Sequence, residues 1–177
     1  MALVELVVMR PVRRSGSVRL LLAILAIALM SASAGTARAD FAADTARGVY
    51  KKLNAYRMKN DLPKLQPDRT LSKVSHRYAV LLARLGKLDH RADGRDPGQR
   101  MKAAGYRWCT YAENIAWSSS RRTPEAMATQ FMKQWTNSRG HRANMLKRDI
   151  NDVGIGVAAD GRGRIYAVQV FGRSGCR

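Results

Sequence analysis

Three histidines and one glutamate are the residues of this sequence whose types best suit acid–base or metal chemistry. His76 lies within a predicted helix, where a partly buried position beside the apolar face explains it. His90 follows the end of that helix, and His141 follows a later one. Glu113 lies in the apolar, strand-like segment Ala112–Ala116, where a charge needs a partner.

Periodicity alone does not bring His90, Glu113 and His141 together. If they meet, two imidazoles and a carboxylate form a ligand set suited to zinc, with a fourth position left open. The simpler alternative is a structural histidine–glutamate hydrogen bond beside a separate surface histidine. A metal-dependent hydrolase also needs a base to activate water, and Asp93, in the loop near His90, is more simply explained by solvation. Ser138 suggests a Ser–His nucleophile only weakly, because no orienting acid is evident.

Helices occupy most of the segment before these residues and between them. One apolar face with steps of three and four residues predicts a first helix through Ala42, Ala46, Val49, Tyr50, Leu53 and Tyr56. Asp68 and Gly86 are the predicted cap and stop of a second helix. A polar loop over Lys87–Gly98 leads to a short helix, Gln99–Ala104, and Thr123-Pro124-Glu125 begins a further helix.

The C-terminal part changes to an alternating period. Val153, Ile155 and Val157 alternate with small residues, and Asp160-Gly161 marks a hairpin turn. Arg164–Phe171 is apolar on both faces apart from Gln169, which is typical of a central strand. The fold class is therefore α+β, with helices covering an antiparallel sheet.

A set of short motifs in a fixed order carries a resemblance to a known family. They are Leu53-Asn54-Ala55-Tyr56-Arg57, Leu62-Pro63-Lys64-Leu65, His90, Arg100 with Ala104-Gly105-Tyr106, Ala112-Glu113-Asn114-Ile115-Ala116, Trp135 to Leu146, Val153-Gly154-Ile155-Gly156-Val157 and Val168-Gln169-Val170-Phe171-Gly172. The chain resembles the bacterial secreted branch of the CAP superfamily. Relatives include cysteine-rich secretory proteins, insect venom antigens and plant pathogenesis-related proteins.

The resemblance implies a three-layer α-β-α sandwich with a central cleft. It also implies that His90, Glu113 and His141 match three members of the cleft tetrad of two histidines and two glutamates. Eukaryotic relatives place the second glutamate where this sequence has Ser138. Family members are variously credited with lipid binding, defence and toxin-like roles, so the resemblance implies a fold more firmly than an activity.

Four further residues beside Ser138 are expected to support the cleft. Asn114 should satisfy main-chain groups, and Arg142 belongs to the motif around His141. Trp108 and Trp117 flank the Glu113 segment, where each can line a ligand groove or cap the core.

Composition limits the class of protein. The 177 residues include 46% hydrophobic residues, which excludes a disordered chain of low hydrophobicity, and the net charge is +19. This charge favours contact with anionic cell-envelope polymers, although a high arginine content spread over a solvated surface is the simpler explanation. No helix-turn-helix, RNA-binding signature or zinc finger supports specific nucleic-acid recognition.

The first 39 residues read as a secretory signal. Basic residues precede the apolar run Leu20–Met30, which is shorter than the roughly 20 residues of a membrane span. Ala37-Arg38-Ala39 predicts cleavage after Ala39, with Met9 as a possible true start; an uncleaved anchor helix is the alternative. Residues 40–177 are then a single domain without a transmembrane segment, secreted or periplasmic.

Export also bears on the two cysteines. In an oxidising compartment Cys109 and Cys176 can pair, and closing so long a loop stabilises the fold by about 4 kcal/mol in the chain-entropy model. Two separate buried thiols are the alternative.

The sequence favours a binding module over an enzyme. Its cleft would hold a divalent metal, most plausibly zinc, and/or a small anionic, lipid or peptide ligand. The alternatives are a metal-assisted hydrolase of peptide, ester or cell-wall bonds, and a basic surface protein that docks on anionic envelope polymers.

Overall fold

A computed structural model of the chain describes residues 40–119 and 122–175. In that part the elements, in chain order, are α1 (residues 40–58), β1 (Gln66–Pro67), α2 (Arg69–Leu85), α3 (Pro97–Ala103), β2 (Trp108–Ser118), α4 (Pro124–Asn137), α5 (Arg139–Met145), β3 (Asp152–Ala159) and β4 (Ile165–Ser174). The predicted signal segment, its cleavage after Ala39 and the start at Met9 lie outside the described residues. No helix within them is both long and apolar enough to cross a membrane.

The four strands form one sheet in the order β1-β3-β4-β2. β3 and β4 are an antiparallel hairpin, and β2 pairs antiparallel with the other side of β4. The two-residue β1 pairs parallel with β3, so the sheet is mixed rather than wholly antiparallel. β4 is central, as its apolar sequence predicts, while β2 forms one edge.

Helices cover both faces of this sheet, which confirms the predicted α+β class and the α-β-α sandwich. On one face α1 and α4 pack on the sheet through fully buried residues such as Val49, Leu53, Phe131 and Trp135. Because alternate residues of a strand point to opposite faces, β4 contributes Ala167 and Phe171 to this core and Tyr166, Val168 and Val170 to the other.

On the second face α2 lies in close contact with β3, with α3 beside it. Gly154 and Gly156 allow that contact, because a Cβ on either would lie 2.1 Å from a main-chain carbon of α2. α2 therefore packs against the small residues that alternate with the apolar ones along β3.

Helix ends follow the predicted caps closely. The Asp68 side chain accepts from a main-chain N–H of the first turn of α2, and Gly86 ends that helix with a left-handed φ of 67°. Thr123 caps α4 in the same way. The helix expected over Gln99–Ala104 begins earlier, at Pro97, because Asp96 and Gln99 form a capping box.

Two strands are longer than expected. The strand predicted over Ala112–Ala116 extends over Trp108–Ser118, since it pairs with β4 along nearly its whole length. The strand predicted over Arg164–Phe171 starts one residue later and continues to Ser174. Cys109 lies in the first of these, but Cys176 is outside the described residues, so their pairing stays a prediction.

Candidate functional site

The candidate site lies at the edge strand β2, where Glu113 and Asn114 are neighbours in sequence. Their side chains point to opposite faces of the sheet. Glu113 reaches α3, and Asn114 reaches α5. Residues from both helical layers therefore meet across a single strand.

Glu113 supports His90 through a direct hydrogen bond. The Glu113 side chain is 1% exposed, and its Oε1 lies 2.8 Å from Nδ1 of His90, whose own side chain is 49% exposed. An ionised carboxylate can only accept hydrogen bonds, so Nδ1 must carry the proton in this contact. The lone pair of the neutral ring is then on Nε2, where it is available to a metal or a ligand.

Arg100 holds Glu113 in turn. Its Nη2 donates to Glu113 Oε2 over 2.8 Å, and its Nη1 donates to the carbonyl oxygens of His90 and Arg95. The guanidinium carbon lies 3.5 Å from the centre of the Tyr78 ring, a cation–π contact. Both carboxylate oxygens of Glu113 are thus engaged by cationic or imidazole donors.

Asp93 is not the solvated residue that the sequence predicts. Its side chain is 15% exposed and forms ion pairs with Arg100 and Arg95 at 3.0 and 3.1 Å. Burial raises the pKa of Asp93, but the charge of Arg100 and the hydrogen bonds from Arg95 and Arg100 outweigh it, so the net shift is downward. A paired carboxylate with a lowered pKa is a poor general base.

Tyr78 fixes the loop that carries His90. Its hydroxyl donates to the carbonyl of Asp89 and accepts from the N–H of Ala92 at 3.1 Å. Burial raises the pKa of Tyr78. The main chain on both sides of His90 is therefore tied to α2.

On the other face, amide side chains position His141. Asn114 donates from Nδ2 to the His141 carbonyl at 3.1 Å and to Gln169 Oε1 at 3.0 Å. Asn144 donates to Asn114 Oδ1 at 2.9 Å and to the Glu113 carbonyl at 3.2 Å. Through this network Asn114 pairs with the main-chain carbonyl of His141 and fastens α5 to the edge of β2.

The two imidazoles are close enough to influence each other. Partial burial lowers the pKa of His141, and the charge of His90 lowers it further. The lowered pKa of His141 favours the uncharged ring, the state in which an imidazole binds a metal.

The other predicted residues lie around this centre. Ser138 occupies the position before α5 without a capping hydrogen bond from its side chain, and exposed Arg142 donates to a carbonyl at the end of α4. Trp108 and Trp117, at opposite ends of β2, are 38% and 41% exposed. His76 is exposed on α2, away from these contacts.

The structure brings His90 and Glu113 into direct contact, and it places His141 near enough for the charge of His90 to lower its pKa. Within residues 40–119 and 122–175, no three His, Cys, Asp or Glu side chains are gathered as a metal-ligand group. The three-residue zinc set therefore stays a prediction. Sequence reasoning missed the roles of Tyr78, Asn144 and Arg100; Gln169, the polar interruption of an apolar strand, was the available signal for a buried amide network.

Comparison with known proteins agrees with this fold. Residues 50–171 match the sequence profile of the cysteine-rich secretory protein family, CAP. The uncharacterized protein YkwD of Bacillus subtilis is 33% identical over 126 residues, which are 71% of this chain and 46% of YkwD. The chain thus spans less than half of that relative.

Solved structures support the fold alone, because their identities are low. An outer surface protein of Borrelia burgdorferi matches with a TM-score of 0.64 and 23% identity, over 71% of this chain and 90% of its own. An extracellular protein with an SCP domain from Bacillus anthracis matches with a TM-score of 0.61 and 22% identity, over 75% and 41%. NaASP2, solved with Zn²⁺, has a TM-score of 0.54 and 16% identity, over 75% and 80%.

The profile match covers more than half of the chain, and the ordered motifs fall on the elements that build the site. The chain belongs to the cysteine-rich secretory protein (CAP) family.

Proposed function

We propose that this chain is an exported binding protein whose site at the edge of β2 holds one divalent transition-metal ion, zinc by preference, between His90 and His141. The observation that carries the proposal is the contact of 2.8 Å between His90 Nδ1 and the buried carboxylate of Glu113. Metal-binding histidines commonly donate their other ring N–H to a carboxylate, which fixes the ring and strengthens it as a ligand.

In this proposal Glu113 orients a ligand instead of being one. Both its oxygens are engaged, one by His90 and one by Arg100. Two imidazoles leave further coordination positions of a zinc ion open to water or to a small anionic or peptide ligand. The zinc of the related NaASP2 structure is consistent with a metal in this family, though at 16% identity it says nothing about these residues.

Binding is favoured over hydrolysis because the acids near the histidines in the described part of the chain are already paired. Glu113 and Asp93 both form ion pairs with Arg100. Ser138 stands where eukaryotic relatives have a second glutamate, and it offers no carboxylate. Metal-dependent turnover of a peptide or ester that disappears in Glu113→Gln would favour the hydrolase instead.

Export is part of the same proposal. Residues 1–39 have the composition of a signal segment, with cleavage after Ala39. Relatives described as an outer surface protein and an extracellular protein support a location outside the cytoplasm.

Calorimetric titration of the exported protein with zinc near neutral pH tests the metal site. We expect saturable binding of one ion, and its loss in both His90→Ala and His141→Ala. His76→Ala is the matched control, because it removes an exposed imidazole of α2 that lies outside the site. Unchanged binding in the first two variants would rule out the proposed ligands.

A further inference from the structure

A cavity of about 330 Å³ lies between α2 and the segment that includes α3. It is on the face of the sheet opposite α5. Val74 and Leu81 contribute apolar walls, and Asp93, Arg95 and Arg100 contribute charged ones. A volume of this size is at the lower end of the range for small-molecule sites, about 300–1,000 Å³.

Positive charge exceeds negative charge in this wall. Arg77, Arg95 and Arg100 line the cavity, against the single carboxylate of Asp93. Asp93 is already shared between Arg95 and Arg100. In the described part of the chain Arg77, which is exposed at the cavity, takes part in no ion pair, so its guanidinium is available to an anion.

We propose that the cavity binds a small organic anion, a carboxylate attached to a short apolar body. The carboxylate would accept hydrogen bonds from the guanidinium of Arg77, whose planar group suits a carboxylate. The apolar body would lie against Val74 and Leu81. The site is independent of the proposed metal centre, because Arg77, Val74 and Leu81 lie on α2 and none of them contacts the imidazoles.

Titration of the purified exported protein with benzoate, followed by ¹H–¹⁵N chemical shifts, tests this site. Benzamide is the neutral probe of the same shape, and inorganic phosphate is the anion without an apolar body. We expect saturable shifts at Val74 and Leu81 with benzoate at millimolar concentrations and much weaker ones with both other probes. Ala103→Leu, which adds bulk to the cavity wall, should also reduce benzoate binding.

Two variants of equal charge separate a built site from general attraction to a basic protein. Arg77→Gln should weaken benzoate binding about tenfold, the effect of one charge-assisted hydrogen bond. Arg84→Gln removes an exposed arginine of the same helix outside this cavity and should change binding less than twofold.

Equal losses in the two variants, equal affinity for phosphate, or shifts that do not saturate would each overturn the proposal. The same Arg77→Gln sample is also titrated with zinc, as a second and separate measurement. Loss of benzoate binding with intact zinc binding concerns the cavity alone, whereas absent zinc binding in the parent concerns only the metal site.

Discussion

Replacement of Glu113 by glutamine removes one negative charge from the centre of the site while keeping the shape of the side chain. The carboxylate is 1% exposed and lies between His90 and Arg100, each 2.8 Å away. Both neighbours donate to it, but a glutamine amide has only one acceptor oxygen. In Glu113→Gln the single amide oxygen replaces two carboxylate oxygens, so either Arg100 faces an N–H group or His90 moves its proton to Nε2 and accepts from the amide.

The expected loss of stability follows from the remaining partners. Breaking a buried ion pair by removing one member costs about 3–5 kcal/mol. Arg100 keeps Asp93 at 3.0 Å, so Glu113→Gln should lower the free energy of unfolding by less, about 2–4 kcal/mol. Arg100→Met leaves the carboxylate buried with only His90, and we expect about 3–5 kcal/mol.

Urea unfolding of the zinc-free proteins measures these values, and the double variant completes a thermodynamic cycle. Because the two side chains are in direct contact, the double variant should lose less than the sum of the single losses, by about 1–3 kcal/mol. His90→Ala removes the half-exposed partner and should cost less than about 1 kcal/mol. Zinc affinity should fall about 10–100-fold in Glu113→Gln, the usual effect of losing the group that orients a ligand.

The two readouts separate the two contacts of Glu113. Stability depends on its pairing with Arg100, whereas metal affinity depends on its contact with His90. A Glu113→Gln protein within about 0.5 kcal/mol of the parent, or single losses that simply add, would refute the view that this carboxylate is held as a buried charge.

Two more predictions concern pH and packing. Burial and the charge of His90 lower the pKa of His141 below its ordinary value of 6.5. The unfolded chain therefore binds this proton more readily than the folded chain does. The contribution of the uncharged His141 to stability is present above about pH 6.5 and is lost as the pH falls through the lower folded-state pKa. Unfolding measured against pH should show this loss in the parent and not in His141→Gln; an identical pH dependence would contradict it. Gly156→Ala should cost several kcal/mol or prevent folding, because its Cβ would lie 2.1 Å from the main chain of α2. Gly161→Ala, whose Cβ meets open space in the hairpin turn, is the control, and thermal melting that leaves both variants near the parent would contradict the close contact of α2 and β3.

The layered fold could be predicted largely because its signals are local. Asp68, Gly86 and Thr123 end or begin helices through hydrogen bonds and dihedral angles that depend on neighbouring residues. The full length of β2 depends instead on its register with β4, some 50 residues away, and the parallel pairing of β1 depends on β3. Pairing between strands that are distant along the chain produces no periodic pattern in the sequence of either strand.

The sequence indicated the imidazoles and the acid of the candidate site but not the residues that hold them. The resemblance implied that His90, Glu113 and His141 lie together, and their types indicated the chemistry. The pairing of both Glu113 oxygens could not be predicted in the same way, because one of the two partners is Arg100, which lies on α3. Asp93 shows the same limit: an acid in a polar loop is usually solvated, and only its contact with Arg100 makes it half of a buried pair.

Arg57 is fully buried and lies outside the candidate site, but it helps to hold α5 in position. Arg57 donates from Nη1 to the carbonyl oxygens of Met145, at the end of α5, and of a nearby loop residue, at 2.8 and 3.0 Å. These carbonyls have no partner within the helix, and a cation is favoured at a helix C-terminus. Asn114 and Asn144 fasten the same short helix to β2. Seven residues do not form a stable helix alone, so contacts with the other elements must hold α5, and with it His141, in place.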